Sequence, residues 1–337
     1  MRQWETNVPR ADLTERATMR AMGISRFGGP EELTAMTVPR PAPLPTEILV
    51  RVHAAGVNPL DWRTRAGLPT PAAAALGAPP HILGWDVSGT VEETGAGEFL
   101  FAPGDEVFGL LWLPRPAGAY AEFVTAPSRQ FARKPAGIDH DHAAGIPLAG
   151  LTAWHALTDI AGLRPGQRVL IHAAGGGVGH LAVQLARHLG AHVTATASSV
   201  KHDWLRRLGA AEVIDYRVTP FEQVAQGIDV VLDLVGLAQP DTAPRSLEVL
   251  RPGGLFIGIA PRRPDGFAAR AASTGIRVAP EPLVEPDGHG LAELARLVDA
   301  GQLSVHLDRV FPLDQAAQAH AYAENGATGK TVLHIAS

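Results

Sequence analysis

The sequence predicts an α/β protein of two domains, one a doubly wound parallel sheet and the other a smaller β-rich unit. Three observations carry this. An apolar run at residues 169–171 meets a glycine cluster and then a helical pattern at Leu181, Ala182, Leu185, Ala186 and Leu189, which reads as strand, tight turn, helix. From about Asp141 onward strands alternate with helices, the rhythm of a parallel sheet with helical crossovers. Before that point, short strands such as 47–56 and 87–95 are separated by Gly and Pro turns. At 337 residues the chain has room for two cores.

In order along the chain, residues 1–18 are polar, mixed in charge and aperiodic, and read as a disordered extension. Residues 19–141 form the first part of the β-rich domain. Residues 142–281 form the parallel-sheet domain. It opens with a helix over 143–160, then strand 168–173, helix 178–189, strand 191–197 and helix 200–208. Strands 212–215, 228–234, 255–259 and 276–279 complete it, with Leu250-Arg-Pro-Gly-Gly254 as a stop signal between a helix and the next strand. A helix over 289–300, a strand near 307–311, a helix over 313–325 and a strand over 330–335 do not fit a further strand–helix unit. Residues 282–337 are therefore expected to return to the first domain, with the parallel sheet inserted between.

Composition excludes several function classes. There is no cysteine, which removes disulfides, thiolate metal ligands and cysteine nucleophiles. A net charge of −5 gives no reason to expect nucleic acid. No apolar run reaches the length of a membrane span, and Glu5, Asp12 and Glu15 oppose an organelle transit peptide, so the cytoplasm is the default expectation.

The glycine cluster reads Ala174-x-Gly176-x-x-Gly179, with alanine in place of the usual first glycine and Gly177 and Val178 between. After a strand and before a helix, this is a dinucleotide site: Gly176 admits the pyrophosphate, Gly179 lets helix and strand pack closely, and the helix N-terminus faces the phosphates. A tight turn of any α/β domain is the plainer reading. The next strand ends in Ser198, Ser199 and Lys201, where an NAD site places an acid for the ribose 2′-hydroxyl. Two hydroxyls and a lysine suit a 2′-phosphate, with Tyr216 at the end of the neighbouring strand in reach. The cofactor expected is NADPH, against the alternative that a serine simply caps the following helix. Leu234 and Val235, at the end of the fourth strand, should pack along the cofactor.

Several motifs occur in order: Phe27-Gly-Gly-Pro-Glu-Glu32, Gly56-Val-Asn-Pro-Leu-Asp-Trp-Arg63, Gly84-Trp-Asp-Val-Ser-Gly-Thr-Val91, Pro103-Gly-Asp-Glu-Val-Phe-Gly109, Gly118-Ala-Tyr-Ala-Glu122, Pro147-Leu-Ala-Gly-Leu-Thr-Ala-Trp154, the glycine loop and Gly329-Lys-Thr-Val-Leu333. With these the chain resembles the zinc-independent, quinone-oxidoreductase-like (zeta-crystallin-like) group of the medium-chain dehydrogenases/reductases. The resemblance implies a GroES-like catalytic domain beside a Rossmann domain, an active site in the cleft between them, and a homodimer. Asn58 and Trp85 stand where the zinc-dependent relatives keep metal ligands, so no metal site is expected, and His53, His81 and His155 do not supply one. The resemblance places Asn58 and Asp61 beside the nicotinamide as catalytic residues, Thr152 against the nicotinamide region and Lys330 near the cofactor phosphates. Asn58–Asp61 also reads as a turn with a helix cap. Tyr120 is either a proton donor or part of a packed strand. Without a metal to stabilise an alkoxide, the substrate expected is a small molecule activated by conjugation, either a quinone or another α,β-unsaturated carbonyl. An enone, enal or enoyl-thioester C=C reductase is the alternative, and a non-catalytic cofactor-binding scaffold a third reading.

Overall fold

The computed structural model describes residues 17–236, 239, 241–259, 263–280 and 283–335. The extension expected over 1–18 therefore lies outside the described residues up to 16. Its last residue does not belong to it: Thr18 opens the strand Thr18–Ile24, which pairs antiparallel with Leu33–Pro39.

The parallel sheet has six strands in the spatial order Glu212–Asp215, His192–Ala197, Arg168–Ile171, Ile228–Asp233, Leu250–Gly258, Arg277–Val278. In chain order this is third, second, first, fourth, fifth, sixth, with every neighbour parallel. The strand order reverses beside the first strand, so a crevice opens at the carboxyl ends of the first and fourth strands, where doubly wound sheets bind their ligands. Helices cover both faces, so the central strands are apolar throughout: Val169, Leu170 and Ile171 are all fully buried.

The second sheet is built on Glu47–Val57, which pairs antiparallel with Asp86–Thr94, with Phe123–Pro127 and with the C-terminal strand Lys330–His334. Leu307–Pro312 adds parallel to the C-terminal strand. Two strands from the end of the chain thus join the sheet of its first third. The register sets Thr331 opposite Val57, which places Lys330 beside Asn58. No helix among the described residues is long and apolar enough to cross a membrane.

Two local expectations need correction. The helix expected over 143–160 is broken into His140–Ala144, Pro147–His155 and a π-turn at Ala156–Ile160. Pro147 has no N–H to continue a helix and starts a new one instead. The Leu250–Gly254 stop signal lies within the strand Leu250–Gly258, where the register slips between Ile228 and Val230. The glycines are absorbed as a bulge rather than ending the element.

Candidate active site

The strand Glu47–Val57 ends against Pro59, which opens the helix Pro59–Arg65 and leaves Asn58 as its extended N-cap. The Asp61 side chain folds back to accept the Asn58 N–H at 2.6 Å, the reciprocal half of a capping box. This fixes where the Asn58 amide points. Its Nδ2 donates to Asp86 Oδ2 (2.8 Å) and its Oδ1 accepts from Lys330 Nζ (2.5 Å). An ammonium only donates and a carboxylate only accepts, so no flipped amide satisfies both neighbours. Asp86 Oδ1 accepts the Leu148 N–H at the head of the helix Pro147–His155, and Thr152 donates to the Leu148 carbonyl one turn on. Asn58, Asp86, Lys330 and Thr152 therefore form one connected, buried polar centre drawn from the first strand–helix junction, the Gly-Trp-Asp strand, the linking helix and the C-terminal strand.

Burial governs the charges here. It pulls Lys330 below and Asp86 above their usual ranges, and their mutual attraction across 3.9 Å opposes both shifts. Asp61 is pushed up to about 8, chiefly by burial and secondarily by Asp86, with the Asn58 N–H and Lys330 pulling the other way.

Behind Asp61 lies a second chain. Arg65 can only donate, so His320 Nδ1 must accept from it (3.2 Å), and the ring proton sits on Nε2, directed at the Tyr120 hydroxyl (3.0 Å). Arg65 is paired with Glu324 at 2.7 Å. Burial holds His320 neutral, down to about 3, and Tyr120 well above its usual value.

At the other end of the crevice the glycine loop turns through Ala173, which takes the left-handed conformation (φ 51°), rather than through Ala174. Ala174 is enclosed and donates its N–H to Thr196 O, so it acts through its backbone. A Cβ on Gly179 would stand 2.5 Å from Ala173 O, and only glycine lets the helix Gly179–His188 sit this close. Val178 is the N-cap of that helix, and of the leading N–H groups that of His180 bonds Gly176 O at 3.2 Å. A Cβ on Gly177 would meet the Lys330 stem at 3.1 Å. The glycine cradle and the helix N-terminus fit a pyrophosphate.

The second strand leads to Ser198, Ser199 and Lys201. Neither serine caps a helix with its side chain, against the capping alternative. Lys201 turns back over the loop, donating to Gly175 O at 3.2 Å, and burial lowers its pKa. Tyr216 is exposed nearby on the third strand's continuation. Two further residues stand here. Arg217 donates to Ser199 Oγ and to both oxygens of Asp215. Asp215 also accepts the Ser199 and Arg217 N–H groups, so its carboxylate is saturated and held well below its usual range by Arg217. Arg217 was legible as a second cation one residue beyond Tyr216.

Leu234 and Val235 follow the fourth strand at the same sheet edge, with the Val235 N–H on Asp233. The crevice thus gathers the glycine loop, Ser198–Lys201, Leu234 and Val235. Three expectations shift. Asp61 is enclosed beneath the centre and faces Asn58, not the cleft, because its carboxylate caps the helix. Lys330 lays its stem on the glycine loop but delivers its ammonium to Asn58. Tyr120 is buried on His320 within the β-rich core, which favours the packed-strand reading. His53 stacks on His140, His81 bonds Gly77 O and His155 pairs with Asp287, so the three histidines are not brought together.

The chain matches the alcohol dehydrogenase GroES-like domain over residues 44–136 and the zinc-binding dehydrogenase model over 208–333. Among the described residues no group of three or more His, Cys, Asp or Glu is placed to hold a metal. Among relatives, the zebrafish (Danio rerio) mitochondrial NAD(P)H oxidoreductase RTN4IP1 is 34% identical, covering 86% of this chain and 84% of that protein. A 2-haloacrylate reductase from a Burkholderia species is 35% identical over 89% of this chain and 93% of its own. The quinone oxidoreductase structure from Coxiella burnetii superposes with a TM-score of 0.87 at 34% identity, over 94% of this chain and 99% of that one. The Escherichia coli quinone oxidoreductase complexed with NADPH does so at 0.82 and 28%, with the same coverage. With its GroES-like and Rossmann domains and relatives of this identity across most of its length, the chain belongs to the quinone-oxidoreductase-like group of the medium-chain dehydrogenases/reductases, and is an oxidoreductase of that family.

Proposed function

We propose that this protein is an NADPH-dependent reductase that passes hydride to a conjugated carbonyl acceptor, a small quinone first, without zinc. The observation that supports it most is the Asn58 amide, held end to end by Lys330 and Asp86 with one Nδ2–H left over. That remaining donor suits a substrate oxygen on which charge develops as hydride arrives. NADPH, when bound, supplies the hydride from C4 of its nicotinamide. The glycine loop would seat the pyrophosphate, Thr152, Leu234 and Val235 would flank the nicotinamide half, and Ser198, Ser199, Lys201, Tyr216 and Arg217 would take the 2′-phosphate. Asp61 serves by holding Asn58 in place. One neutral amide donor is a weaker polariser than a metal, which is why the acceptor must already be activated.

A reductase of conjugated C=C bonds is the second reading, favoured by the 2-haloacrylate reductase relative. The test mixes pure protein with NADPH or NADH and panels of quinones, enones, enals and enoyl thioesters, following loss of the reduced nicotinamide's absorbance. Turnover of quinones with NADPH is expected. Turnover confined to C=C substrates selects the second reading. Tight NADPH binding without turnover on any acceptor refutes both and favours a scaffold.

A further inference from the structure

The Lys330 ammonium is enclosed in the same pocket as the Asp86 carboxylate, and between the two stands the Asn58 amide. A lysine beside a glycine loop invites the simpler role of counter-ion to the cofactor phosphates. The geometry opposes that role. Nζ is committed to Asn58 Oδ1 at 2.5 Å and approaches the Val57 carbonyl at 3.4 Å. Withdrawing it toward a phosphate would strand Asp86, which has no exposure, without its counter-charge. The stem, by contrast, does touch the loop, with Cδ against Gly177, and the preceding Gly329 N–H bonds Gly175 O at 3.2 Å.

We propose that Lys330 and Asp86 are a positioning pair for the reaction centre: together they fix the Asn58 amide so that its free Nδ2–H faces the substrate oxygen, and through the Lys330 stem they tie that orientation to the cofactor loop. This rests on the hydride-transfer reading above. An amide between two uncharged neighbours is held at neither end: it is free to tilt away from the reacting oxygen, and turned over it presents its oxygen lone pairs to a developing oxyanion. A cation on one end and an anion on the other remove that choice. The pair therefore acts through Asn58 on the transition state rather than on cofactor affinity.

Lys330→Met separates these roles, because methionine keeps the apolar stem over Gly177 and deletes the charge. Buried Asp86, without that counter-charge, takes up a proton, can then donate as well as accept, and no longer selects the amide nitrogen. With the full chain and a quinone that the wild type reduces, kcat should fall roughly 10- to 100-fold, the scale expected when a positioned group loses its orientation. The NADPH Kd should stay within about threefold, since no bond to the cofactor is removed. Asn58→Ala should cost a similar factor, and the double variant should be no slower than Asn58→Ala alone. Should Lys330→Met fail to fold for want of a partner for Asp86, Lys330→Met with Asp86→Asn removes both charges and leaves the stem, and its kcat should fall likewise with its melting temperature retained. A Kd raised tenfold or more with kcat preserved would overturn the proposal in favour of a phosphate contact. So would independent, multiplying effects of Lys330→Met and Asn58→Ala, or wild-type turnover in the doubly neutral variant. Absence of turnover by the wild type on every acceptor is a separate outcome: it removes the hydride-transfer reading, and this positioning role with it.

Discussion

Cofactor choice is the sharpest quantity to test, because two cations and one anion meet where the 2′-phosphate is expected. Lys201 is half-buried and spends one donor on Gly175 O. A charge-assisted bond to phosphate contributes roughly 1.5–3 kcal/mol, and the Gly175 bond it competes with about 1. The net loss in Lys201→Ala is then about 0.5–2 kcal/mol, or roughly 2- to 30-fold in NADPH affinity. NADH, lacking the phosphate, should be nearly unaffected. Arg217→Ala should do something different. Arg217 neutralises Asp215 through bonds of 2.9 and 3.1 Å. Its removal takes away a cation and bares a carboxylate at the ribose end, so NADPH should weaken while NADH gains an acceptor for its 2′-hydroxyl and tightens. Fluorescence titration of both cofactors against wild type and both variants reads the ratio directly, and added salt should narrow the NADPH advantage because Arg217 is exposed. Equal weakening of both cofactors by Lys201→Ala would refute the reasoning. The lysine would then merely support the glycine loop.

Gly179→Ala should lower both stability and NADPH affinity, since the new Cβ would stand 2.5 Å from Ala173 O and 2.6 Å from Ala174 Cα. Overpacking of this kind costs typically 1–3 kcal/mol, and a melting curve with a cofactor titration checks it. Asp61→Asn should keep turnover within a few-fold, because asparagine retains the acceptor for the Asn58 N–H and Asp61 is pushed up to about 8 and so largely uncharged at neutrality. Asp61→Ala should lower turnover about tenfold by freeing the cap; equal effects of the two would mean that the charge matters.

The parallel sheet was legible because its signals are local. An apolar run, a glycine cluster and a 3.6-residue period lie within twenty positions of one another, and the strand boundaries at 212–215 and 228–233 fall within a residue of those expected. The site was legible only in part, because it is assembled from long-range pairings. Nothing near residue 330 announces that its ammonium will meet Asn58; that follows from the register of Lys330–His334 on Glu47–Val57. Asp86 was visible as the acid of Gly-Trp-Asp, but its partner lies 244 positions away. For Asp61 the capping alternative was open in the sequence, where a carboxylate three residues past Asn58 and two past a proline already has the spacing of a capping box. The broken linking helix shows the opposite failure: an apolar period persists across Pro147 although the backbone cannot.

Buried histidines give the fold a characteristic response to acid. Burial presses His172 down to about 3, His180 to about 4 and His320 to about 3, from an ordinary 6.5. His180 and His320 have bonding that a second ring proton would break. His180 Nδ1–H donates to Gly176 O (2.9 Å), so its Nε2 must accept the His306 N–H. His320 Nδ1 accepts from Arg65, and His172 sits between Thr196 and Ser246 hydroxyls, with Arg245 nearby lowering it further. Between pH 6.5 and about 4 the unfolded chain binds these three protons and the native one does not, so stability rises with pH in that window. Asp61 has the opposite sign: the native state holds its proton from 3.8 up to about 8, and stability falls with rising pH there. For these four groups the balance is a net uptake of two protons on unfolding below pH 6.5, or about 3 kcal/mol per pH unit. Against a total of roughly 5–15 kcal/mol, this is a large share of the stability over the two units below pH 6.5. Urea midpoints at pH 5, 6, 7 and 8 should rise steeply from 5 to about 6.5 and then flatten or decline. His172→Asn should reduce the slope below 6.5 by about half, and a midpoint unchanged from pH 5 to 7 would refute the assignment. Since His180 holds Gly176 against the 304–306 segment, NADPH affinity should fall along with stability on the acid side, through the loss of the cofactor loop rather than of any group at the reaction centre.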